Sequence, residues 1–147
     1  MEGSTTVGQL LRSKGSQVWS IRSDASVYEA LTDMASRDVG ALPVVDDGKL
    51  VGILSERDYA RKVILKGRSS RETKVSEVMT SSVVTVQPEQ TMQDCMELMS
   101  ARRIRHLPVE KNGDLIGIIS VGDVVKATIA EQAFLIEQLQ SYIQGTI

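Results

Sequence analysis

Apolar residues in this chain switch between two spacings. Leu42–Val44 and Leu50–Leu54 are short runs rich in β-branched residues, as are Leu107–Val109 and Leu115–Ile119. Such runs predict strands. Asn112-Gly113 joins the second pair, and both positions of a tight hairpin turn need positive φ, which Asn and Gly tolerate. Asp46-Asp47-Gly48 joins the first. Elsewhere the spacing is helical. Val27, Ala30, Leu31 and Met34 fall at i, i+3, i+4 and i+7, and so do Met92, Cys95, Met96 and Met99. Each set makes one apolar stripe. Ser26-x-x-Glu29 and Thr91-x-x-Asp94 precede the stripes as capping-box patterns, which satisfy free N–H groups at a helix start.

These patterns form a repeat. Leu42–Asp58 and Leu107–Asp123 align without a gap at an offset of 65 residues, and the alignment extends to Val18–Arg61 on Val83–Lys126. Identical pairs include Met34/Met99, Pro43/Pro108, Gly52/Gly117, Ser55/Ser120 and Asp58/Asp123. A fixed period decides architecture before any local detail. Each copy predicts a strand (Val18–Ile21, Val83–Val86), a helix, the hairpin, and a second helix (Glu56–Lys66, Val121–Gln132), in the order β-α-β-β-α. Short helical lead-ins precede the copies at Thr6–Ser13 and Ser76–Thr80. The expected organisation is a first repeat over 7–66, a polar basic linker over 67–74, a second repeat over 75–128 and a C-terminal helix over 129–147. The tail is too apolar for a free surface helix and is expected to pack on its own domain or on a second copy of the chain. A three-stranded sheet with both helices on one face needs cover on the other. The expected fold is therefore mixed α/β (α+β), with two repeats packed face to face about a pseudo-two-fold axis and a cleft on each side, where ligands tend to bind.

Composition narrows the reading. The 147 residues suit one domain or two subdomains. Aromatics are only 3%, so the core must be aliphatic with Met filling gaps. A net charge of −2 gives no general pull toward nucleic acid. The basic linker is expected to be a solvated loop; it is short and has no aromatic neighbours for base stacking. No apolar run approaches the roughly 20 residues that span a bilayer, and Met1–Gln9 has no leader pattern. The single cysteine, Cys95, fits a reducing compartment and reads as a buried core residue. The expected localisation is cytoplasmic, or an organelle matrix if a targeting segment has been removed. His106 is the only histidine, so no His cluster can hold a metal. Phosphate-loop, zinc-protease and nucleophile-elbow motifs are absent, so no catalytic residues are expected.

The repeat resembles the cystathionine-β-synthase (CBS) domain, and the chain resembles a stand-alone tandem CBS pair, or Bateman module. The residues that carry this are Leu-Pro-Val, the hairpin, then Gly52-Ile53-Leu54-Ser55-Glu56-Arg57-Asp58 and Gly117-Ile118-Ile119-Ser120-Val121-Gly122-Asp123. The resemblance implies a non-catalytic regulatory module. It would bind adenosine-containing ligands (AMP, ADP or ATP, with NAD or S-adenosylmethionine in some members) and act on a regulated partner protein. It also implies a homodimer in which two pairs meet as a flat disc. By position, Ser55 and Asp58 would serve one cleft, and Ser120 and Asp123 the other. A helix N-terminus suits phosphate, and a carboxylate accepts from the two donors of a ribose diol. The same Ser-x-x-Asp is also a plain capping box needing no ligand. Arg105 and His106 replace Gly40 and Ala41 of the first repeat, next to the central strands, where family members place phosphate-binding basic residues. The alternative for them is a solvated basic helix end. Lys14 and Met79 match each other in the lead-ins and would wall the adenosine. Arg57 could reach phosphate, and Trp19 either stacks on adenine or packs in the core. A non-catalytic dimeric adaptor with vestigial clefts is the competing function.

Overall fold

A computed structural model describes residues 4–15 and 17–145. Met1–Gly3, at the head of the stretch read for a leader, and Thr146–Ile147, at the end of the expected C-terminal helix, lie outside the described residues. In chain order the elements are α1 (Val7–Lys14), α2 (Val27–Arg37), β1 (Ala41–Asp46), β2 (Lys49–Ser55), α3 (Glu56–Lys62), α4 (Val75–Val78), α5 (Met92–Arg102), β3 (His106–Lys111), β4 (Asp114–Ser120) and α6 (Val121–Ile143). A single 3-10 turn, Ile64–Lys66, follows α3.

The chain divides into two compact units that cut across the repeats. One comprises Gln17–Val84 with Asn112–Leu115; the other comprises Met1–Ser16, Thr85–Lys111 and Ile116–Ile147. The lead-in of each repeat therefore packs with the hairpin of the other. In the first unit, α4 runs into Met79 and Thr80, and Thr80 pairs antiparallel with Ile53 of β2 through bonds of 2.9 and 3.0 Å. In the second, the start of α1 is tied to the segment before α5, with Val7 N–H on Gln90 O at 2.8 Å and Gly8 N–H on Pro88 O at 2.9 Å.

Both hairpins turn as their sequences require. Asp47 and Gly48 have φ of 49° and 79°, and Asn112 and Gly113 have 53° and 83°. The helix caps form as well. Thr91 and Asp94 complete a capping box, whereas Ser26 makes only the half bond to Glu29 N–H.

The expected leading strands do not form. Val18–Ile21 and Val83–Val86 each reduce to one parallel bridge, Ile21 with Val44 and Val86 with Val109, leaving two-stranded sheets. Proline explains the arrest. Ile21 N–H donates to Pro43 O and accepts at its own carbonyl from Val45 N–H. The next rung toward the N-terminus would need a donor at Pro43, which has none. Pro108 sits identically against Val86. Two helix ends also differ from expectation. Helix α3 stops at Lys62 before the 3-10 turn, and α6 runs unbroken to Ile143, so the second helix and the tail are one element.

The core of the first unit is aliphatic. Val27, Ala30 and Met34 of α2 pack with Leu42, Val44, Leu54, Val63, Val75 and Val78. Val7, Val86, Met92, Cys95, Leu107, Val109, Ile119 and Val124 are buried in the second. The 67–74 linker is exposed at most positions, as expected, and is tied to the first unit at a few points. Arg68 pairs with Glu77 at 2.5 Å, Arg71 stacks 3.8 Å from the Tyr28 ring centroid, and Thr73 is buried with its hydroxyl on Ser69 O.

Candidate functional site

The strand-to-helix junction after each hairpin carries the Ser-x-x-Asp pair, and both pairs form capping boxes. Ser55 Oγ accepts from Asp58 N–H at 3.1 Å, and Asp58 Oδ2 accepts from Ser55 N–H at 3.0 Å. Ser120 Oγ accepts from Asp123 N–H at 3.2 Å, and Asp123 Oδ2 accepts from Ser120 N–H at 2.8 Å. Helix capping thus fixes both carboxylates, with or without a ligand.

A lysine reaches each carboxylate, but from different elements. Lys14, the last residue of α1, lies 2.6 Å from Asp123 Oδ2 and also donates to Ile118 O at 2.9 Å. Lys62, one turn after Asp58 on α3, lies 3.0 Å from Asp58 Oδ1 and donates to Val78 O at 2.9 Å. In repeat register Lys14 matches Met79, and Lys62 matches Ala127. The ammonium is kept while its source moves between lead-in and helix.

The two carboxylates differ in spare capacity. Asp58 uses both oxygens: Oδ2 takes Ser55 N–H and Ser55 Oγ, and Oδ1 takes Lys62 and, at 3.5 Å, the Thr80 hydroxyl. Among the described residues, both Lys14 and Ser120 N–H converge on Oδ2 of Asp123, and no hydrogen bond reaches its Oδ1. Burial works to raise the Asp123 pKa, but the Lys14 and Ser120 bonds outweigh it, and the carboxyl is held below its ordinary value.

His106 opens β3 beside this group. Its pKa is lowered, first by burial, then by the charge of Lys14, with Arg105 adding to the effect and Asp123 opposing it. Lys14, Ser120 and Asp123 are therefore in direct contact within the second unit, with His106 near enough to feel the charges of Lys14 and Asp123. Arg105 is exposed, and its carbonyl accepts from Val121 N–H at 2.8 Å, tying the start of α6 to the end of the Arg-rich segment.

The remaining candidates are placed with the first unit. Met79 lies against the backbone of Gly52, where an added Cβ would stand 2.5 Å from its sulfur. Leu11 covers Gly117 in the same way, at 2.6 Å. Arg57 is exposed and pairs with no carboxylate among the described residues. Trp19 packs against the core with the Arg37 guanidinium 4.6 Å from its ring centroid, so one ring face is already covered. None of the candidates lines the cavity of about 220 Å³ beside Leu31, Met34, Asp38 and Glu56. Sequence reasoning missed Lys62, Thr80 and Leu11. The i,i+4 spacing of Asp58 and Lys62 was a readable signal for the first; nothing local marked the other two.

Both repeats match the family model for the CBS domain, over residues 7–65 and 75–130. The chain belongs to the CBS-domain family. A mitochondrial CBS domain-containing protein of Arabidopsis thaliana is 44% identical over 152 residues, spanning 97% of this chain and 73% of that one. Among solved structures, a proposed signal-transduction protein with CBS domains from Burkholderia ambifaria is 48% identical with a TM-score of 0.83, over 87% of this chain and 96% of that chain. A hexameric CBS-CP12 protein from bloom-forming cyanobacteria is 29% identical with a TM-score of 0.75, over 83% and 71%. The α+β fold of two CBS repeats agrees with these structures.

Proposed function

We propose that this CBS pair is a non-catalytic regulatory module that binds an adenine nucleotide at the Asp123 cluster and signals its presence to a partner protein. One observation carries the reading. Among the described residues, Oδ1 of Asp123 accepts no hydrogen bond, while the Lys14 ammonium sits on the other oxygen of the same carboxylate. A ribose diol supplies donors to the carboxylate, and phosphates suit the Lys14 ammonium and the exposed Arg105 guanidinium. AMP, ADP and ATP are the first candidates, and NAD and S-adenosylmethionine share the adenosine. Ligand and partner couple only if the ligand binds two conformations unequally. A reducing interior, cytoplasmic or organellar, is the proposed setting, and the mitochondrial relative supports it. Self-association is part of the proposal, supported by the hexameric relative.

Calorimetric titration of nucleotide-free protein with the five ligands tests the reading. One ligand should bind, and Asp123→Ala should weaken it about 10- to 100-fold, the size of a lost bond to a charged group. No heat from any ligand overturns it. A second reading, a dimeric adaptor with vestigial sites, is favoured at the first repeat, where Asp58 has both oxygens engaged. An Asp58→Ala protein that binds like the wild type would support that assignment there.

A further inference from the structure

Helix α6 outruns the body it starts on. Its first half is anchored: Val124 is buried, Thr128 reaches the sulfur of Met96 at 3.6 Å, and Glu131 accepts from Thr5 N–H. Beyond Glu131 every residue to Gly145 is exposed apart from Ser141. A stretch this short is marginal as an isolated helix in water.

Yet it is apolar in a definite pattern. Val125, Ile129, Gln132, Ile136, Leu139 and Ile143 follow one another at steps of four and three, the spacing of a coiled-coil seam. Ile129, Ile136 and Leu139 are 60, 55 and 54% exposed, and Ile143 81%. Leu135 and Tyr142 flank the seam, at 58 and 74%. At roughly 200 Å² per large side chain, these six residues expose about 760 Å². That exceeds the roughly 300–600 Å² of the largest apolar patch on an ordinary monomer. It matches the roughly 800 Å² that each partner contributes to a standard interface.

Charge selects the occupant. From Ala127 to Gly145 the only charged residues are Glu131 and Glu137, and neither lies on the seam. A helix that lies on membrane or nucleic acid carries Lys and Arg; from Ala127 onward this one has none. Two such helices side by side place no like charges in contact.

We propose that the distal half of α6 pairs with the same helix of a second copy of this chain, forming a coiled-coil seam through Ile129, Gln132, Ile136 and Leu139. This rests on the self-association proposed above and assigns it a surface. Light scattering and sedimentation of the full chain test it across a concentration series. The Ile136→Glu/Leu139→Glu protein should have half the assembled mass of the wild type. Gln132→Leu, which removes the one polar group from the seam, should hold the assembly together at about tenfold lower concentration. Glu137→Lys, off the seam, should change neither. A wild-type assembly that all three variants leave unchanged overturns the seam alone. A wild type that is monomeric throughout overturns the seam and self-association together. If that monomer floats with phosphatidylcholine–phosphatidylserine vesicles, and the double variant does not, the surface belongs to membrane.

Discussion

Alanine at Gly52 and at Gly117 should have unequal effects, although the two glycines occupy the same place in the repeat. At Gly117 the three atoms nearest the new methyl all belong to the Leu11 side chain, at 2.6, 3.0 and 3.4 Å. A leucine tip can rotate away at a cost of about 0.5–1.5 kcal/mol. At Gly52 the methyl meets Met79 sulfur at 2.5 Å and Cγ at 3.0 Å, which can also swing, but it meets Thr80 O at 3.0 Å as well. That oxygen is backbone and accepts from Ile53 N–H at 3.0 Å, while Thr80 N–H donates back to Ile53 O at 2.9 Å. Restoring ordinary contact means moving the bridge by several tenths of an ångström. Each strained bond is worth about 0.5–1.5 kcal/mol, and overpacking costs about 1–3 kcal/mol in all. The loss of unfolded-state entropy from Gly to Ala is common to both and cancels. Gly52→Ala should therefore lose about 2–3 kcal/mol and Gly117→Ala about 1 kcal/mol. At about 2–4 °C per kcal/mol for a chain near this size, the two variants should melt roughly 2–8 °C apart by circular dichroism. Adding Met79→Ala to Gly52→Ala should recover only part of the loss, because the carbonyl remains. Equal melting of the two single variants, or full rescue by Met79→Ala, would refute the argument.

Lys14→Met should raise the Asp123 carboxyl midpoint, read by carbon-detected NMR titration, because two lowering influences leave together. The folded value is depressed, so this carboxylate stabilises the fold above its unfolded value and the contribution fades as pH falls below about 4; the variant should lose less stability over that acid range than wild type. His106 has the opposite sign. Its folded pKa is lowered, so the unfolded chain takes the proton first, and stability should fall as pH drops below the ordinary histidine value of 6.5. His106→Asn should flatten that decline in urea titrations at pH 5, 6 and 7. Cys95 is buried and its pKa is pushed up to about 11, chiefly by desolvation. A thiol reagent at pH 8 should label it only on unfolding, and rapid labelling of native protein would contradict its placement.

Much of this architecture was legible because it is local. The hairpins follow from Asp47-Gly48 and Asn112-Gly113, and the helix starts from Thr6, Ser26, Thr91 and Ser120, each of which acts within a few residues of its own position. The leading strands failed because alternation says nothing about whether a partner strand has a donor, and Pro43 and Pro108 do not. The fixed offset placed Lys14 opposite Met79 but could not tell which hairpin each lead-in lies against, since a repeat is by definition silent about which copy it meets. Lys62 is not legible from the repeat for a related reason: its partner in register is Ala127, so the two copies do not share it. Arg105, His106 and Asp123 were recoverable from their positions, but their union with Lys14 is a tertiary fact.

The traded lead-ins make each half a debtor to the other. A cut in the 67–74 segment yields one fragment that owns α1 but lacks Thr80, and another that owns Thr80 but lacks α1. Neither fragment holds the complete set for either compact body, so the two should refold only when mixed, as a complementing pair. A lone repeat, expressed by itself, would have to borrow its missing segment from another molecule.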